Sequence, residues 1–168
     1  TWRELVHSKQ LVNFINPLRK REILDLEYLV EIFQRERSLL DLWTVINSNS
    51  KLTYVLTEYP SGKVRYFQPN KHNLFNAMRA SSALPFVHSP VLVSGFLFID
   101  GGLTDKLPIK KAKEEGNEEI VVVYNKTPAF SYSSRESIAS RILSHTLPKN
   151  ISKLVRERNN QNEELDRM

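Results

Sequence analysis

The stretch Phe96-Leu97-Phe98-Ile99-Asp100-Gly101-Gly102-Leu103-Thr104-Asp105-Lys106-Leu107-Pro108 decides how this chain is read. Its apolar opening reads as a strand, and the strand ends on a carboxylate. Gly101 and Gly102 supply the backbone freedom of a sharp turn, so the chain can peel away and leave Asp100 at the rim of the sheet, where open α/β sheets keep their ligands. Pro108 suits a first helical turn, residues 109–115 continue it, and Gly116 stops it. The run Ile120-Val121-Val122-Val123-Tyr124 has the unbroken β-branched character of a strand buried on both faces. Strand, turn, helix and buried strand make a βαβ unit, so the expectation is two parallel strands joined by a right-handed crossover.

The flanking segments fill in the rest. Residues 1–22 mix apolar and basic positions around Pro17 and read as a helical connector. Over 24–37, Leu26, Leu29, Val30 and Phe33 recur at helical spacing behind Asp25, a plausible cap; Leu39, Leu42, Trp43 and Ile46 repeat the signal over 38–46. Residues 52–59 and 63–67 read as two strands around the turn Pro60-Ser61-Gly62. A helix over 70–82 carries Leu74, Phe75, Ala77 and Met78, read as core, with Arg79 near its end. Ser94-Gly95 is a tight turn between 91–93 and 96–99. Downstream, 128–134 is a loop, and helices are expected over 135–147 and 149–167, separated by Pro148. The last docks by a narrow stripe of Ile151, Leu154 and Val155.

Three segments resemble the patatin-like phospholipases: Asp100-Gly101-Gly102 after its apolar strand, Ala77-Met78-Arg79-Ala80-Ser81-Ser82-Ala83-Leu84-Pro85 upstream of it, and Ile23-Leu24-Asp25-Leu26-Glu27-Tyr28-Leu29. They span roughly residues 20–125 in family order, which is far more specific than one short motif. The resemblance implies a partial three-layer α/β fold with a mainly parallel central sheet flanked by helices, followed by C-terminal helices. Residues 1–125 would be the C-terminal part of a catalytic domain and 126–168 a loop and helical extension. It also implies a Ser–Asp dyad without metal or other cofactor, acting on acyl lipids or phospholipids in lipid catabolism. In such a dyad Asp100 is the general base, and Gly101 and Gly102 position it. A free aspartate, with a pKa of about 3.9, is ionised at neutral pH and ready to accept a proton.

The serine side of that dyad is missing from the sequence. The five glycines are Gly62, Gly95, Gly101, Gly102 and Gly116, and no serine lies between two of them in a Gly-x-Ser-x-Gly elbow. The glycine-rich loop that would supply oxyanion donors is absent for the same reason. Ser81 and Ser82 are flanked by Ala80 and Ala83 with no histidine or lysine neighbour to activate them, and read as turn or helix-end residues. The chain begins at Thr1, so the expectation is an acid-bearing part whose nucleophile belongs to a missing N-terminal half of the domain, inactive alone. The alternative is a non-catalytic remnant that binds a lipid or a protein.

Composition narrows the classes further. The net charge of +5 arises from 24 basic and 19 acidic residues spread along the chain. Arg19-Lys20-Arg21 and the series Lys106, Lys110, Lys111, Lys113 read first as solvated surface; the functional alternative is attraction to anionic lipid headgroups, with Arg79 and Lys106 as headgroup or anion contacts. Aromatics do not interleave with these clusters, so no nucleic-acid partner is expected. There are no cysteines, and the four histidines lack metal-ligand spacing. No apolar run approaches the about 18 residues of a membrane span, so the expectation is a soluble cytoplasmic protein with at most peripheral membrane contact. Asp105 reads as a turn or capping residue rather than a second catalytic acid. A parallel sheet deprived of its first strands exposes an edge, so self-association of the isolated chain is also expected.

Overall fold

A computed structural model describes residues 11–13, 22–35, 42–123 and 145–165. The expected connector over 1–22, the loop over 128–134 and the helix over 135–147 lie largely or wholly outside them. Helix α1 spans Leu26–Arg35, and Asp25 caps it as expected: its Oδ1 accepts the Tyr28 N–H at 2.9 Å. Helix α2, Leu42–Asn47, follows. Strands β1, Tyr54–Glu58, and β2, Val64–Phe67, form the expected hairpin, and α3 spans Leu74–Ser82. Strands β3, Val91–Val93, and β4, Phe96–Asp100, are joined by Ser94 and Gly95, whose φ angles of 49° and 87° are the two positive values that a two-residue hairpin turn requires. A 3-10 turn, Gly101–Leu103, leads toward α4, Ile109–Glu114, and α5 spans Lys149–Leu165.

The four strands make one sheet in the order β2-β1-β4-β3. Among the described residues every pairing is antiparallel, with Thr57 opposite Ile99, Leu56 opposite Asp100 and Val93 opposite Phe96. The expected mainly parallel sheet is therefore corrected to an antiparallel one. Two hairpins, through residues 59–63 between β1 and β2 and through Ser94 and Gly95 between β3 and β4, reverse the chain, and the long-range pairing of β1 with β4 is antiparallel as well. The βαβ unit and its right-handed crossover fail with it. Val121, Val122 and Val123 form no strand here and are 91%, 43% and 87% exposed, rather than buried on both faces. Their β-branched side chains favour extended backbone, but no described strand lies beside them to make a ladder.

Helices cover both faces of the sheet at β4. Phe98 joins Leu56, Val93, Ala77 and Ala80 in a core against α3. Its neighbour Ile99, on the opposite face by the strand's two-residue period, joins Leu103, Ile151 and Val155 in a second core against α5. The stripe expected on the last helix is thus real, and it seats beneath the turn that follows β4. Among the described residues no helix is long and apolar enough to cross a membrane, and no cluster of side chains could hold a metal ion.

Candidate functional site

Asp100 is the last residue of β4, with φ −44° and ψ 122°. Strand β3 gives out before it, since the final β3–β4 pair is Val91 with Phe98. Backbone groups this close to the core need partners, and they find them outside that ladder. The Asp100 N–H donates to the Ala83 carbonyl at 3.0 Å. The Asp100 carbonyl accepts from the Thr57 hydroxyl at 2.8 Å, and the carboxylate Oδ1 accepts the Gly102 N–H at 2.8 Å. Main chain and side chain are therefore both fixed, and the carboxylate caps its own turn.

The two glycines serve different ends. Gly101 is buried against β1: a Cβ there would stand 2.0 Å from the Val55 carbonyl oxygen, so only hydrogen fits. At Gly102 a Cβ would stand 3.2 Å from Asp100 Oδ1 and 3.8 Å from Lys106 Cγ. The glycine thus leaves room for the carboxylate to fold back onto its N–H, with the Lys106 stem alongside. The Gly101 carbonyl accepts the N–H groups of Thr104 and Asp105, both at 3.0 Å, which closes the turn.

A family model described as patatin-like phospholipase matches residues 6–113, a span that includes every residue of this site. The chain belongs to the patatin-like phospholipase family. Over 116 residues it is 33% identical to the uncharacterized protein YjjU of Escherichia coli (strain K12), an alignment covering 66% of this chain and 32% of that relative. The chain thus spans about a third of that relative's length.

The segment from Ala77 to Pro85 acquires a physical explanation in this patatin-like chain. Ala77, Ala80 and Ala83 are each fully buried, so α3 lies close upon the sheet, and Ala83 presents its carbonyl to Asp100. Ser81 donates to the Val55 carbonyl at 3.0 Å, a local structural bond on the same oxygen that excludes a side chain at Gly101. Arg79 faces away from this packing: it pairs with Glu27 of α1 and donates to Asn76 Oδ1 at 2.9 Å. Burial pushes its guanidinium below the usual arginine range, and its Nε has no hydrogen-bond partner among the described residues. In this state Arg79 ties α3 to α1, while the Lys106 stem lies beside the Gly102 turn.

Asp105, expected as a turn or capping residue, instead has a side-chain partner that local sequence does not announce. Its Oδ2 accepts the Tyr66 hydroxyl at 2.7 Å, so β2 is fastened to the turn. That hydrogen bond, helped by burial and the Asp105 charge, pushes the Tyr66 phenol up to about 12. Lys111 lies 5.5 Å from the Tyr66 ring centre and pairs with Glu115 at 3.1 Å; Glu115 also takes Lys51 at 2.8 Å. Hydrogen bonds from Lys51 and Lys111 hold the Glu115 carboxyl below its usual range. Sequence reasoning missed Thr57, Tyr66 and Val55 because each meets the turn from far along the chain. Thr57 was legible only as a β-branched strand residue.

Proposed function

We propose that this chain is the acid-bearing portion of a patatin-like acyl hydrolase, cleaving ester bonds of phospholipids or other acyl lipids when joined to a segment that carries Gly-x-Ser-x-Gly. The observation that carries this reading is the fixation of Asp100 by its N–H, its carbonyl and its Oδ1, at the end of a strand and beside a glycine turn. A general base must be held in place before it can be effective. In this reading Asp100 accepts the serine hydroxyl proton as the serine oxygen attacks the ester carbonyl. The proton then passes to the leaving alcohol. In the second half, Asp100 takes a proton from water as water attacks the acyl-enzyme, and serine is regenerated. Lys106, its stem against the Gly102 turn, attracts an anionic headgroup in this reading; Arg79 serves only if its pairing with Glu27 opens.

The test is Asp100→Asn in the protein that bears the nucleophile. Loss of about 10²- to 10⁴-fold in kcat is expected. Retained hydrolysis would remove Asp100 from the mechanism. For this chain alone, a fluorophosphonate probe should label no serine; labelling would refute the assignment of the nucleophile to another segment.

A further inference from the structure

Of the hydrogen bonds that hold Asp100, the one from Thr57 is made by a side chain 43 residues away. Thr57 sits opposite Ile99 in the register and is 0% exposed, so water does not compete for its hydroxyl. Its oxygen also lies 3.0 Å from Thr104 Oγ1, which in turn is 3.1 Å from the Gly101 carbonyl. Each hydroxyl has one proton to give. The Gly101 carbonyl already accepts two N–H groups, from Thr104 and Asp105, so its lone pairs are occupied without the Thr104 hydroxyl. The Asp100 carbonyl lies past the end of β3, and the Thr57 hydroxyl supplies it with a donor. The assignment that satisfies the most groups runs in one direction: Thr104 donates to Thr57, and Thr57 donates to the Asp100 carbonyl.

We infer that Thr57 is a positioning residue for Asp100, and that Thr104 orients its hydroxyl for that role. The role as base rests on the function proposed above; the hydroxyl chain itself does not. Thr57 acts through the main chain: fixing the Asp100 carbonyl fixes the peptide that leads into Gly101, and with it the Gly102 N–H that grips the carboxylate. Chains of this kind strengthen one another in a water-free setting, and removing one member takes a donor away from an enclosed acceptor. A threonine here also meets two demands at once, because its methyl group packs like valine in a strand while its hydroxyl reaches the turn.

The experiment compares Thr57→Val, which keeps the shape and loses the hydroxyl, with Thr57→Ser, which keeps the hydroxyl. Amide hydrogen exchange at Gly102 is followed by NMR together with the Asp100 carboxyl resonance. In Thr57→Val the Gly102 amide should exchange about tenfold faster or more, with a shifted carboxyl resonance, while amides in α3 keep their rates. Thr57→Ser should restore the wild-type values. A folded Thr57→Val protein with unchanged Gly102 exchange overturns the inference, as does a serine variant that behaves like valine. Should Thr57→Val fail to fold, Thr104→Val carries the test: faster exchange at Gly102 supports the chain, and an unchanged rate overturns it. Asp100→Asn in the nucleophile-bearing protein separates the two readings, since retained hydrolysis there would strike out the base and leave the Thr57 chain standing.

Discussion

Gly101 lies hard against the Val55 peptide: a side-chain carbon on Gly101 would stand 2.0 Å from the Val55 carbonyl oxygen and 2.4 Å from its carbonyl carbon. Neither atom can swing away as the end of a flexible side chain could. The same oxygen accepts the Ser81 hydroxyl, so β1, α3 and the Asp100 turn meet at one carbonyl. Gly101→Ala should therefore cost more than about 3 kcal/mol, through displacement of β1 from the turn. Denaturant unfolding checks it; a loss below 1 kcal/mol, on the order of an ordinary surface change, would mean that the contact yields.

Gly102→Ala should separate stability from site geometry. Its new carbon would stand 3.2 Å from Asp100 Oδ1, a side-chain atom that can move by a few tenths of an ångström. The expected stability change is within about 1 kcal/mol, but the carboxylate should shift off the Gly102 N–H. NMR of the Asp100 carboxyl would reveal this, and in the nucleophile-bearing protein kcat should fall while the fold persists. An unmoved carboxyl resonance would count against a positioning role for Gly102.

How far the sequence could be read depended on the range of each interaction. Ser94-Gly95, the Asp25 cap and the apolar strand that ends at Asp100 are local, and one segment suffices to see them. The direction of the sheet was not legible in the same way. Val121-Val122-Val123 announces extended backbone, yet a ladder needs a neighbour, and propensity alone does not name one. The resemblance to patatin-like proteins led to Asp100 directly. It led to Thr57 not at all, because a threonine in a strand looks the same whether its hydroxyl meets solvent or a carbonyl from a remote turn. Tyr66 and Asp105 met only in three dimensions for the same reason.

The Tyr66–Asp105 bond should be visible in alkali. The phenol is raised from 10.0 to about 12, first by donating to Asp105. A raised folded-state pKa means that the protonated form is favoured by folding, so this contribution is complete below about pH 10. It is lost as pH rises toward 12. The difference in stability between wild type and Tyr66→Phe should therefore shrink or reverse across that window. Tyr54, also raised by burial, is common to both proteins and cancels in the comparison. Asp105→Asn should bring the Tyr66 titration, followed by phenolate absorbance, back toward 10; an unchanged titration would show that the Asp105 bond is not its cause.

Ile151 of α5 is fully buried against Ile99 and Leu103, the residues on either side of the Asp100 turn. Ile151→Ala should cost about 2–5 kcal/mol, the usual effect of a cavity at a buried isoleucine. Its second consequence is more specific. If α5 braces the turn, amide exchange should quicken at Leu103 and Gly102 before it does so at Ala77 and Ala80, which belong to the core on the other face. Uniform quickening over both cores would show only a global loss of stability.

Self-association of the isolated chain should be traceable to the β3–β4 hairpin. Among the described strands β3 lies at the edge of the sheet, a position where backbone groups invite another strand. Leu92 and Leu97 face each other in the register and are 59% and 40% exposed, so the edge also presents an apolar patch. The opposite side of the same hairpin contributes Val93 to the core against α3, which means that the patch can be changed without touching that core. Replacing both Leu92 and Leu97 by threonine keeps strand propensity and removes most of the apolar contact. In sedimentation velocity over a concentration series, wild type should show a concentration-dependent rise in mass, and the double variant should stay lighter at every concentration. Equal masses for the two proteins would move the cause elsewhere, with the exposed Val121 and Val123 next to be replaced.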